Sequence, residues 1–172
     1  MAQKDDYVLV RLDFSEYKHA AQAGFDRHCL SLNRSGSEGL QGDGWKSDIE
    51  GAVGEYVAHK ALGVHWVPVH KYYPEAVKPK LRFVTKTVDG WHKRLLIPRN
   101  TDDLTNYVLV VGETTVKRAE GPPVWRYLDF WVLGWMNGGE AKREFELDTV
   151  SLIRPAYAID KEFLRPLSDL KL

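Results

Sequence analysis

Residues 47–63 read SDIEGAVGEYVAHKALG, and the fold is read outward from this stretch. Ser47 followed three residues later by Glu50 fits a capping box: the hydroxyl takes a backbone N–H and the carboxylate reaches back to the cap. Gly63 is the expected stop, so the spacing predicts a helix from about Asp48 to Leu62. Glu50 is then explained by the cap, and Glu55 is not. On a helical wheel Glu55 falls beside Gly51, Ala58 and Leu62. Small neighbours let a helix approach a sheet closely, so its carboxylate is expected beside or under the sheet.

Upstream, residues 33–44 read NRSGSEGLQGDG, a flexible Gly-rich loop. Before it, residues 14–32 show helical spacing of apolar positions with Ser15 as the expected cap, and Tyr7 to Leu12 reads as a strand. Downstream, strands are expected at His65 to Val69 and Leu81 to Val88. Asp89-Gly90 is a hairpin signal that would return the chain as Lys93 to Ile97. Asn106 to Gly112, NYVLVVG, is apolar throughout and reads as a central strand. A long strand is expected from Trp125 to Met136, a turn at Asn137-Gly138-Gly139, and a short helix from Glu140 to Phe145. A strand at Val150 to Ile153 and a short helix from Asp160 to Leu164 close the pattern. That order implies an α/β fold: one domain over residues 1–172, with a mixed β-sheet flanked by helices. Neither phosphate-cradling glycine motif, GxGxxG or GxxxxGK[ST], occurs.

The chain has 24 basic and 24 acidic residues, yet the charge is uneven. Between Lys71 and Arg99 stand eight basic residues against two acidic ones, Glu75 and Asp89. A basic block of this kind is an electrostatic footprint for phosphate, or a solvated edge. A single cysteine, Cys29, excludes an intramolecular disulfide and a Cys-rich zinc site, and fits a reducing cytoplasm. The N-terminal MAQKDD lacks the apolar core of a secretory signal, and no apolar run is long enough to span a bilayer. The expectation is a cytoplasmic protein with no membrane partner. His59, His65 and His70 make a poor zinc set, since His65 and His70 have opposite parity on a strand.

Five stretches carry a resemblance: DIEGAVGEYVAHKALGVHW, LRFVTKT, RLLIPRNTDDLTNYVLVVG, VLGWMNGGEAKRE and RPAYAIDKEFLRPLSDL. In order and spacing they resemble a group of small phage and prophage proteins. That group in turn resembles the PD-(D/E)xK, restriction-endonuclease-like fold. The resemblance implies a nucleic-acid partner, a host-cell cytoplasmic setting if phage-encoded, and Mg²⁺-dependent phosphodiester cleavage. Cleavage of that kind needs carboxylate oxygens on the metal and a cation near the attacking water. Carried over by position, Glu55 is the helix carboxylate and Glu75 the first strand acid, both metal ligands. Lys86 is the catalytic lysine. Lys78, Lys80, Arg82, Lys93 and Arg94 would hold the phosphates. Val84 stands where the second strand acid belongs. The departure favours the alternative of a catalytically inactive accessory or anti-defence protein that binds nucleic acid or a host or phage protein. A self-assembling homo-oligomer, joined through the aromatic strand, is the third reading.

Overall fold

The computed structural model describes residues 6–32, 44–68, 83–112, 128–150 and 154–171. β1 (Val8–Leu12) leads into α1 (Phe14–Leu32), and α2 (Gly44–Ala61) follows. Then come β2 (Phe83–Val88), β3 (Leu95–Pro98), β4 (Asn106–Gly112), β5 (Leu128–Asn137), α3 (Gly138–Glu144), β6 (Leu147–Asp148) and β7 (Ala156–Ile159). Two 3-10 turns, Lys161–Phe163 and Leu167–Asp169, complete the described elements. The expected Gly-rich loop falls, apart from Gly44, outside the described residues.

Local chemistry sets the helix ends. α1 is capped by Asp13, not Ser15. The Asp13 carboxylate accepts the Glu16 N–H and the Glu16 carboxylate accepts the Asp13 N–H, each at 2.9 Å. α2 starts at Gly44, one turn before the expected capping box, so Ser47 and Glu50 lie inside the helix. Its end matches the expectation. Gly63 adopts φ +65°, its N–H bonds the Lys60 carbonyl, and the Val64 N–H bonds the His59 carbonyl. Asn137 caps α3 by accepting from the Gly139 and Glu140 N–H groups. Asp160 precedes a 3-10 turn instead of a helix, and its side chain makes no cap bond.

The strands form two sheets where one mixed sheet was expected. The first has the order β1-β5-β4-β2, antiparallel except for the parallel β4/β2 pair. The second is antiparallel with the order β3-β7-β6. The Asp89-Gly90 hairpin is therefore not formed as a ladder: β2 pairs with β4, and β3 pairs with β7. Residues 65–68 are irregular; of the strand expected at Val150 to Ile153 all but Val150 lies outside the described residues, and β6 and β7 flank it.

β4 shows why its sequence is apolar on both parities. Val108 and Val110 join a core beneath α1 and α2 with Ala52, Val53, Val57, Phe83, Phe130 and Val132. Tyr107, Leu109 and Val111 join a second core with Leu95, Ile97, Leu133, Ile159 and Leu164. The four-stranded sheet is thus the middle layer between the helix pair and the smaller sheet. α2 lies close on β2 because residue 54 is glycine: a methyl there would land on Thr87 Oγ1. Gly24 plays the same part where α1 crosses the backbone of α2 at Asp48 and Ile49.

Candidate functional site

Glu55 leaves α2 toward α1, where Arg27 meets it. Arg27 Nη1 donates to Oε1 at 2.9 Å and Nη2 to Oε2 at 2.5 Å. The side chains are 10% and 28% exposed, so the pair is mostly withdrawn from water. Both carboxylate oxygens are engaged, in the bidentate geometry that arginine favours. Arg27 Nε is buried and has no hydrogen-bond partner.

Lys86 departs from the other face of the sheet. On β2, Thr85 and Thr87 register against Val108 and Val110 of the helix-side core, while Lys86 registers against Leu109 of the second core. The expected meeting of Glu55 with Lys86 in one cleft does not occur, because helix and lysine lie on opposite faces of the sheet. Lys86 is half-buried, and burial alone pulls its ammonium pKa below the ordinary lysine value. Among the described residues no ion pair or hydrogen bond is made by its ammonium.

β2 is an outer strand of its sheet, and a cleft of about 460 Å³ runs along it. Lys46, Ser47, Glu50 and Gly51 line it from α2, residues 85–89 from β2 and its exit, and Lys93 from beyond the turn. Gly51 keeps the helix wall low: a methyl there would meet nothing within 4 Å. Lys46 Nζ stands 3.8 Å from Glu50 Oε1 and 3.7 Å from Asp89 Oδ2. Lys93 Nζ is 2.5 Å from Asp89 Oδ1. The Lys93 hydrogen bond, aided by the Lys93 and Lys46 charges, holds the Asp89 carboxyl below its usual range against the pull of burial. Lys46 and Lys93 are thus tied to carboxylates, whereas Lys86 has no ion pair among the described residues.

Of the residues expected to act, the structure brings Lys86 and Lys93 to one cleft and leaves Glu55 outside it. Arg94 is exposed. Glu75, Lys78, Lys80 and Arg82 lie outside the described residues. In the sequence the capping box already accounts for Glu50, and this hides its pairing with Lys46. Their i,i+4 spacing on one helix face was the signal available.

The histidines are spread apart in role. His59 is buried, with Nδ1 2.7 Å from the Glu55 carbonyl oxygen and its ring 4.9 Å from that of Phe83. Burial pushes its imidazole pKa below 6.5, and the Glu55 carbonyl and charge oppose that only in part. His65 is exposed, His28 bonds Asp48 at 3.0 Å, and His70 lies outside the described residues. Among the described residues no three His, Cys, Asp or Glu side chains converge as a metal-binding group, and no helix is long and apolar enough to cross a membrane. Comparison with known proteins finds no matching family model, no matching curated protein and no matching solved structure.

Proposed function

We propose that the protein binds nucleic acid through phosphate in the cleft along β2, and does so without cutting it through Glu55. The observation that carries this reading is Lys86, a half-buried lysine in the cleft with no ion pair among the described residues. Desolvating a cation costs free energy, and a phosphate entering the cleft returns the missing partner. Lys93 and Lys46 at the rim, with side chains 45% and 48% exposed, are held by Asp89 and Glu50 and would have to share those carboxylates with an entering phosphate. Lys78, Lys80 and Arg82 stand just before β2 in the sequence and lie outside the described residues.

Cleavage with Mg²⁺ is the weaker reading, because both oxygens of Glu55 already hold Arg27. A non-cutting accessory or anti-defence protein of phage type, on a nuclease-like scaffold, is the role that suits these features. The phage and nuclease parts of that statement rest on the five sequence stretches alone. Electrophoretic mobility and product gels with labelled DNA and RNA, in Mg²⁺ and in chelator, test the proposal. The expected result is retention without products in both conditions, weakening between about 50 and 200 mM salt as counterion release requires. Products that form in Mg²⁺ and vanish in Glu55→Gln would reverse it.

A further inference from the structure

We infer that the nucleic acid taken by this cleft is single-stranded and lays a base on the ring of Trp91, an inference that rests on the phosphate-binding reading above. Trp91 sits in the turn between Asp89 and Lys93, which both line the cleft. Its half-buried ring lies 5.6 Å from Trp131 and 6.1 Å from Tyr7, tilted by 59° and 36°. Tyr7 and Trp131 are half-buried as well. These rings occupy the sheet face from which Lys86 departs. Val88 registers against Val111, and Val111 against Trp131. Lys86 lies two residues before Val88 on the same strand, about 6.6 Å away along it. A phosphate on Lys86 therefore brings the next base within reach of the aromatic patch. Lys161 places its ammonium 5.9 Å from the Trp91 ring centre and donates to the Trp91 carbonyl oxygen at 3.3 Å, which fixes the indole in place.

A duplex fits this arrangement badly. Its phosphates ride on a stiff convex rod and its bases are stacked inside, whereas Lys86 is half-buried in the cleft and the rings need a free base face. A single strand bends into the cleft and offers its bases, the combination of cationic groove and stacking platform that sequence-tolerant single-strand binders use.

Fluorescence anisotropy with a short single-stranded oligonucleotide, the corresponding duplex, and inorganic polyphosphate as a base-free competitor tests the inference on the parent, Trp91→Phe and Trp91→Leu. The single strand is expected to bind more tightly than the duplex. Trp91→Phe keeps that affinity, and Trp91→Leu loses about 5- to 100-fold for the oligonucleotide while polyphosphate binding stays unchanged. Leucine retains an apolar filler against Tyr7 and Trp131. Should that variant fail to fold, quenching of tryptophan emission by the oligonucleotide but not by polyphosphate serves in its place. Equal binding of single strand and duplex, equal loss of polyphosphate in Trp91→Leu, or no difference in quenching overturns the inference and leaves the phosphate reading standing. Binding of neither oligonucleotide nor polyphosphate removes both.

Discussion

Glu55 and Lys86 are both half-buried charges, set on opposite sides of the same sheet, and the fold treats them differently. Glu55 has its two oxygens filled by the two terminal nitrogens of Arg27. Lys86 is half-buried and has no ion pair among the described residues. A charge met by its opposite belongs to the architecture. A charge left desolvated is a cost the fold carries until something from outside arrives. The contrast moves the candidate site from the carboxylate on α2 to the amine on β2.

The largest effect should come from breaking the satisfied side. Glu55→Ala leaves the Arg27 guanidinium, 10% exposed and already lacking a partner at Nε, without its counter-charge. A loss of about 3 kcal/mol in urea unfolding is expected. Arg27→Ala should cost less, about 2 kcal/mol, because Glu55 is 28% exposed and can draw on water. Neither change should alter nucleic-acid affinity. If Glu55→Ala abolishes binding in a folded protein, the division between architecture and site is wrong.

Gly54→Ala sharpens the same contrast from the packing side. Its methyl would press on Thr87 Oγ1 and drive α2 from β2, with an expected cost of about 2 kcal/mol by thermal or urea melting. Next in size is Lys86→Gln, which should weaken oligonucleotide binding about tenfold, equivalent to about 1.4 kcal/mol, and reduce the salt slope by about one. Stability should hold or rise slightly, since the desolvated charge is gone.

The smallest effect is in pH. His59 binds a proton less readily folded than unfolded. Between 6.5 and its lower folded value, unfolding therefore takes up a proton and stability falls as pH falls. Urea midpoints measured downward from neutrality should decline through that window and flatten in His59→Gln. A parent midpoint that rises on acidification there would contradict the buried neutral ring.

What the sequence discloses and what it hides divide along the range of the interaction. β4 is legible because a strand covered on both faces must be apolar at both parities. Gly63 is legible because a left-handed helix end favours glycine, and Asn137-Gly138-Gly139 because the turn needs a capping side chain and small residues. The helix cap at Asp13 carries its own signal, an acid three residues before Glu16, which Ser15 obscured. The sheet partners are not legible. Asp89-Gly90 favours a tight turn locally, but pairing is chosen by burial, and Leu95 and Ile97 find theirs against β7 and the second core. The start of α2 is hidden for a related reason: Ser47 and Glu50 satisfy a cap pattern, while the helix continues back to Gly44. The partner of Glu55 comes from 28 residues upstream, on a different helix, and no local spacing encodes it. Lys86 was singled out as a cation. That it has no ion pair among the described residues follows only from knowing what surrounds it.

The most direct test is to follow the ¹³Cε resonance of Lys86 through a pH titration, assigned by Lys86→Arg, with and without a short single-stranded oligonucleotide. The free protein should show an amine that loses its proton below the ordinary lysine range, and the bound protein one returned to that range or above it. An amine that titrates normally in the free protein, or is unmoved by the oligonucleotide, would contradict the account.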